Sequence, residues 1–319
     1  MSHEISKILQ SEDKFLIVTH VNPDGDAVGS LLGTYLALSE MGKQAWPFGG
    51  EKFPDLYNFL PGWRALITAP EAITDTPEWI IVLDVAEEHR ISGDIKRFRD
   101  RAKLINIDHH PTNPRFGDLN FLEPTATSTA ELVHRLLQGA DYKISSDVGK
   151  CLYTGLITDT GCFRFSGVNS TTMQIAAEML RPGLDSYEVT RYLYEEYALG
   201  RLFLERLMLE RIEILLGGRL VLSTLHHADY ERLGVALSEG ENLVNRLRES
   251  RGVEAGVLMT QTNGDVTRVS FRSKDRLDVS LISKSLGGGG HRHAAGLKST
   301  TPLPELKQKI IKAIEDALD

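Results

Sequence analysis

Three stretches, KFLIVTH (14–20), EWIIVLDVA (78–86) and KLINIDHH (103–110), are apolar at nearly every position, and each runs into acids or histidines. A strand with one wet face alternates apolar and polar residues, so runs without alternation belong to strands covered on both faces. Helical patterns accompany them: DAVGSLLGTYLALSEMG (26–42), with a glycine near its end, then STAELVHRLLQ (128–138) and SDVGKCLYTGLITDTG (146–161), which reaches an acidic tip at Asp159. Such alternation predicts an α/β domain whose mostly parallel sheet is flanked by helices. Ligands of open parallel sheets bind beyond the carboxyl ends of the strands, where the acids and histidines lie.

Past residue 185 the pattern changes. The stretch beginning SYEVTRYLYEEY, dense in arginine and glutamate, reads as a solvated helical linker over 186–216. A smaller C-terminal α/β domain follows over 217–319: a strand in RLVLSTL, a helix in GENLVNRLRES, and a hairpin in VEAGVLMTQTNGDVTRVSFRS turning at Asn263-Gly264. The helix DVSLISKSL then runs into GGGGHRHAAG, and an amphipathic helix, PELKQKIIKAIEDAL, closes the chain. The first domain accordingly covers 1–185.

A chain of 319 residues is long enough for two cores. No apolar run approaches the roughly 20 residues that cross a bilayer, and the acids of MSHEISKILQSEDK do not fit a secretory signal, so the expected compartment is the cytoplasm. Cys151 and Cys162 both stand in apolar surroundings and read as buried free thiols. The net charge of −8 disfavours holding a long nucleic acid, which needs a broad basic surface. A small anionic substrate is still allowed where metal ions or a few arginines neutralise it.

Eight polar groups fall at element ends: His20, Asp24, Asp26, Asp84, Asp108, His109, His110 and Asp159. Singly, each aspartate has an ordinary role as a turn former or helix cap, and Asp26 is placed to cap the helix after it. Gathered at one sheet edge, unpaired carboxylates repel one another unless cations bind or protons stay on. A pair of divalent metals resolves the conflict. Carboxylate and imidazole donors without thiolate suit manganese or a similar ion better than structural zinc, and paired metals suit displacement at phosphorus.

The motifs HVNPDGDAVGS, VLDVA, IDHHPTN and TDTG (158–161), in this order, followed by GGGGHRHAAG, resemble those of the DHH phosphoesterases with their associated C-terminal domain, over nearly the whole chain. The resemblance implies one metal held by His20, Asp24 and Asp84, and another by Asp26, Asp84, His109 and Asp159, with Asp84 bridging. Pro23 and Gly25 would let the chain turn between ligands of different ions. The ions implied are two Mn2+, with Mg2+ or Co2+ as alternatives. His110 is expected to face the substrate phosphate and Asp108 to orient its neighbours, so that Asp84, Asp108 and His110 form the catalytic set. The reaction implied is metal-assisted phosphoester hydrolysis by an activated water.

In the second domain, Gly288, Gly289 and Gly290 read either as a flexible turn or as a backbone cradle for an anion. Arg272 reads either as an exposed strand residue or as a phosphate contact. The resemblance favours nucleotide binding by these residues with His291 and His293. By the resemblance, neither the extra nucleic-acid domain of the family's long exonucleases nor the membrane segments of its cyclic-dinucleotide enzymes is expected over these 319 residues. What remains implies short RNA oligonucleotides (nanoRNase activity) and 3′-phosphoadenosine 5′-phosphate (pAp) as substrates, with cyclic di-AMP or pApA, or a nucleotide-binding regulatory role without turnover, as alternatives. Short RNA or small adenine nucleotides are the expected partners, with no long duplex and no membrane. A homodimer fits the resemblance, with the charged helices as contact surfaces.

Overall fold

A computed structural model describes the chain except for residues 51, 52, 263, 275 and 319. It divides into two units, Met1–Glu196 and Tyr197–Asp319. In the first, α1 (Ser2–Ser11) precedes β1 (Lys14–Val18), α2 (Gly25–Glu40) and β2 (Gln44–Phe48). Then come β3 (Trp79–Leu83), the short α3 (Lys96–Arg99), β4 (Lys103–Asp108) and β5 (Leu119–Leu122). Four helices complete the unit: α4 (Thr129–Gly139), α5 (Ser146–Asp159), α6 (Ser170–Leu180) and α7 (Ser186–Tyr194).

The sheet order is β2-β1-β3-β4-β5, with every neighbouring pair parallel. Alternate strand residues serve two cores. Phe15, Ile17, Ile81, Leu83, Ile105 and Ile107 pack with Leu31, Leu136 and Leu152 of α2, α4 and α5. Leu16, Val18, Ile80, Val82 and Leu104 pack with Phe48, Ile91, Ile95 and Phe98 on the other face. Both faces are buried, which is why the sequence runs show no alternation. The edge strand β2, QAWPF, has a proline that an edge position accommodates, and its short mixed pattern does not stand out in the sequence.

Strand order reverses between β1 and β3, and a reversal of this kind opens a crevice at the carboxyl edge. His20 lies two residues past β1, Asp84 immediately follows β3, and Asp108 ends β4. Helices α2 and α5 bring in the remaining groups through a close antiparallel crossing. A Cβ on Gly29 would lie 2.8 Å from the Gly155 nitrogen, and a Cβ on Gly155 would lie 2.8 Å from Asp26 Oδ1. Without side chains at these two positions, the start of α2 and the end of α5 can meet.

Two local expectations change. The cap of α2 is Asp24, whose carboxylate accepts from the amides of Asp26 and Ala27, so Asp26 is released for other work. Gly25 is the first helical residue and not the turning point; the left-handed residue is Asn22, with φ 54°. Gly25 is glycine because Thr158 occupies the space a side chain would need.

The second unit comprises α8 (Gly200–Glu210), β6 (Glu213–Leu215), β7 (Leu220–His226), α9 (His227–Leu233), α10 (Val244–Arg248), β8 (Ala255–Gln261), β9 (Thr267–Ser273), α11 (Val279–Ser285), β10 (Gly289–His291), β11 (Ala294–Ser299) and α12 (Leu303–Leu318). Its sheet order is β10-β11-β9-β8-β7-β6, and only β7 and β8 run parallel. One face carries α11 and α12 over Val257, Met259, Val269 and Phe271; the other packs Leu204, Met208, Tyr230 and Leu247 of α8, α9 and α10.

The stretch 186–216, expected as one connector, is two helices and an edge strand. It breaks between Tyr194 and Gly200, and the division between the units falls there. Asn263 of the expected hairpin turn lies outside the described residues. Both cysteines are free, but only Cys151 is buried; Cys162 is half-buried, because it stands in the left-handed turn that follows α5. Among the described residues no helix is long and apolar enough to cross a membrane.

Candidate metal centre

His20 and His109 are oriented alike. Nδ1 of His20 lies 3.0 Å from the Val21 carbonyl and Nδ1 of His109 lies 3.3 Å from the Ala126 carbonyl. A carbonyl only accepts, so each Nδ1 carries a hydrogen; without metal the charged ring turns Nε2–H towards the acids, and in the neutral ring Nε2 becomes the lone pair that a metal ligand requires. His20 Nε2 points at Asp84 Oδ2, 3.6 Å away. His109 Nε2 lies 3.6 Å from Asp84 Oδ1, 3.9 Å from Asp26 Oδ2 and 3.2 Å from Asp159 Oδ2. The two oxygens of Asp84 therefore face two different histidines. Asp84 follows its strand with φ 61°, a left-handed conformation that aspartate tolerates better than most residues.

Donor atoms of His20, Asp24 and Asp84 lie within 4.8 Å of one another, as do those of Asp26, His109 and Asp159, and those of Asp84, Asp108 and His110. His110 differs from the other two histidines. Its Nδ1 lies 2.6 Å from Asp108 Oδ1, within a carboxylate bond and not a carbonyl bond.

The electrostatics are those of acids confined together. Burial, then the charge of Asp84, pushes the Asp26 carboxyl up to about 7. Burial and the charges of Asp26, Asp24 and Asp84 push Asp159 well above its ordinary value. Burial opposes ionisation of Asp84 as well, but the His20 hydrogen bond and the charges of His110 and His109 outweigh it and hold Asp84 low. Burial also works against charge on His20, His109 and His110; their carboxylate neighbours overcome it and raise all three. The protein alone balances this cluster with protons. Divalent cations would supply the same balance from oxygen and imidazole donors already facing one another, so the donor set fits such ions.

Several supporting residues were not singled out from the sequence. The Asn113 amide donates to Asp108 Oδ2 at 2.6 Å and to Asn106 Oδ1 at 2.7 Å, fixing the carboxylate that holds His110. Asp26 accepts from the amides of Thr129 at 2.6 Å and Ala130 at 2.9 Å and from the Ser30 hydroxyl at 3.2 Å. The Thr129 hydroxyl donates to Asp84 Oδ1 at 3.0 Å. Ser30, four residues after Asp26 on α2, is the one whose spacing could have revealed it; Thr129 lies 103 residues from Asp26 and only the fold brings it near.

Residues 14–156 match the model of the DHH family, N-terminal domain, and residues 224–319 match the DHHA1 domain. The chain is 32% identical to the bifunctional oligoribonuclease and PAP phosphatase NrnA of Thermus thermophilus, over 98% of this chain and 93% of that protein. This chain belongs to the DHH family. It is also 30% identical to the Bacillus subtilis protein of the same name, over 93% and 92% of the two chains. The crystal structure of an exopolyphosphatase-related protein from Bacteroides fragilis superposes with a TM-score of 0.89 at 28% identity, over 99% of this chain and 95% of that one. As a DHH protein, the chain is a phosphoric ester hydrolase, and Asp108-His109-His110 is its namesake triplet.

The DHHA1 region of this DHH protein sets its recognition candidates on adjacent strands. Arg272 on β9 pairs with Ala294 on β11, which pairs with His291 on β10. Directly opposed residues share a sheet face, so Arg272 and His291 stand two strand spacings apart, about 10 Å, across a small alanine. Arg272 reaches the Phe271 carbonyl and Asn242 Oδ1. His293 is held by Ser273, whose hydroxyl lies 3.0 Å from Nδ1.

The glycine tract differs from a helix-backed cradle. It follows the carboxyl end of α11 and leads into β10, so it does not open a helix. Gly288 and Gly290 are explained by packing: a Cβ on Gly288 would lie 2.5 Å from Leu297 Cβ, and one on Gly290 would lie 2.6 Å from the Ala294 carbonyl. A Cβ on Gly289 meets nothing within 4 Å.

Proposed function

We propose that this chain is a metal-dependent nanoRNase and pAp phosphatase, cleaving short RNA oligonucleotides and releasing phosphate from pAp. The observation that carries the reading is Asp84, whose two oxygens face His20 and His109 in two adjoining donor groups. The names of the two NrnA relatives supply the substrates. His20, Asp24 and Asp84 would hold one ion, and Asp26, Asp84, His109 and Asp159 the other, with Mn2+ as the first candidate and Mg2+ or Co2+ as alternatives, since oxygen and imidazole donors without thiolate suit such ions better than structural zinc. Bound there, the ions supply positive charge against the phosphoryl oxygens and acidify a water.

The chain's own groups do the rest. Asp108 accepts from Nδ1 of His110, fixes the ring and favours its charged form. His110 therefore holds its exchangeable proton at Nε2, where it can neutralise phosphoryl charge or pass to the leaving oxygen. Asn113 keeps Asp108 in place. In the second unit, Arg272, Gly288, Gly289, Gly290, His291 and His293 form the nucleotide-recognition set.

The deciding experiment strips the protein of metal, reloads it with Mn2+, Mg2+ or Co2+, and follows RNAs of two to five nucleotides, pAp, pApA and cyclic di-AMP, with Asp84→Ala as control. Turnover of short RNA and pAp, lost in the variant, is expected. Turnover confined to cyclic di-AMP or pApA would replace the substrate reading, and nucleotide binding without turnover would leave a regulatory module.

A further inference from the structure

Thr129 is the first residue of α4, fully buried, and outside every motif that carries the family resemblance. It touches both inner carboxylates. Its amide donates to Asp26 Oδ2 and its hydroxyl to Asp84 Oδ1. Its own place is fixed from behind: Ser128 caps the helix by accepting from the Glu131 amide, and Ala130 packs where Gly155 lacks a side chain.

We infer that Thr129 is a positioning residue that locks Asp84 in its bridging orientation and ties it to Asp26. The terminal torsion of an aspartate is broad and roughly two-fold, so the plane of a carboxylate is set by what it bonds to. With the hydroxyl holding Oδ1 on the His109 side, Oδ2 is left on the His20 side. Rotation of the Asp84 carboxylate would take both oxygens out of these directions at once. A hydroxyl is suited to the task because it donates along one lone-pair direction of Oδ1 and leaves others for an ion. Outer partners of metal ligands act in this way, fixing ligand geometry without touching the metal.

The inference rests on the two-metal reading, and the test separates the two. Mn2+ binding to metal-stripped protein is measured by calorimetry without substrate for wild type, Thr129→Val, Thr129→Ser and Asp84→Ala. Valine keeps the branched shape and the amide but removes the donor, so affinity should fall ~10- to 100-fold. Serine should restore it to within ~3-fold, and pAp at saturating Mn2+ should show an unchanged KM in both variants. Wild-type affinity in Thr129→Val, or equal weakness in Thr129→Ser, would overturn the positioning role; Thr129→Ala replaces valine if that variant does not fold. Wild-type affinity in Asp84→Ala would instead overturn the metal assignment itself.

Discussion

The two sheets gather polar residues in different ways. In the first unit every strand runs parallel, so all carboxyl ends reach one edge, and a residue just past any strand lies near the others. In the second, all but one pairing is antiparallel, so strand ends are shared between two edges, and the recognition candidates come from the row Arg272, Ala294 and His291 across a sheet face. The charge follows: residues 1–196 contain 28 acids and 18 bases, residues 197–319 contain 16 acids and 18 bases. A parallel edge concentrates carboxylates for cations, whereas a near-neutral sheet with an arginine and a histidine spaced along one face suits a phosphate.

The strongest way to break this contrast is Asp84→Ala, which removes the group facing both histidines. Turnover should fall on the order of 10³-fold or more, with loss of bound metal measured alongside; retention of both would leave the parallel edge without its assigned work. Next, Arg272→Ala should raise KM for pAp roughly 10-fold or more while Mn2+ stoichiometry stays at the wild-type value, since the loss is of one charge-assisted hydrogen bond. Gly289→Ala is subtler. Its Cβ has open space, so thermal stability should hold, and a KM raised about 3-fold would mark close approach of substrate to the backbone there. An unchanged KM would reduce the tract to a packing feature.

The smallest effect concerns pH. Burial holds His134 below its ordinary value despite Glu178 beside it. The unfolded chain therefore takes up the proton first. The contribution of neutral His134 is complete above about pH 6.5 and is lost as pH falls from there towards the lower folded value. In urea unfolding of metal-free protein, wild type should lose more stability between pH 7.5 and 5.5 than His134→Gln, by at most about 1.4 kcal/mol per pH unit. The raised histidines of the metal centre carry the opposite sign but are common to both proteins.

The doubly buried strands and their polar ends were legible because a short unbroken apolar run, flanked by helical patterns, fits little besides a strand covered on both faces. The triplet at 108–110 directed attention to the edge where the acids and histidines gather. The break at 195–199 was not legible, since a densely charged amphipathic pattern reads the same through one helix or two. Nor was the role of Thr129, or that of Gly155 in clearing space for Asp26, because each depends on contacts between segments far apart in the chain, 45 residues for Thr129 with Asp84 and 103 for Thr129 with Asp26. Local pattern carries the candidate donors; it does not carry what stands behind them.

The start of α4 has a dynamic consequence. First-turn amides have no acceptor within their own helix, and in most helices they exchange readily with solvent deuterium. Here the amides of Thr129 and Ala130 end on a buried carboxylate. Their exchange can proceed only when Asp26 lets go, which makes two backbone protons a built-in gauge of how often the centre opens.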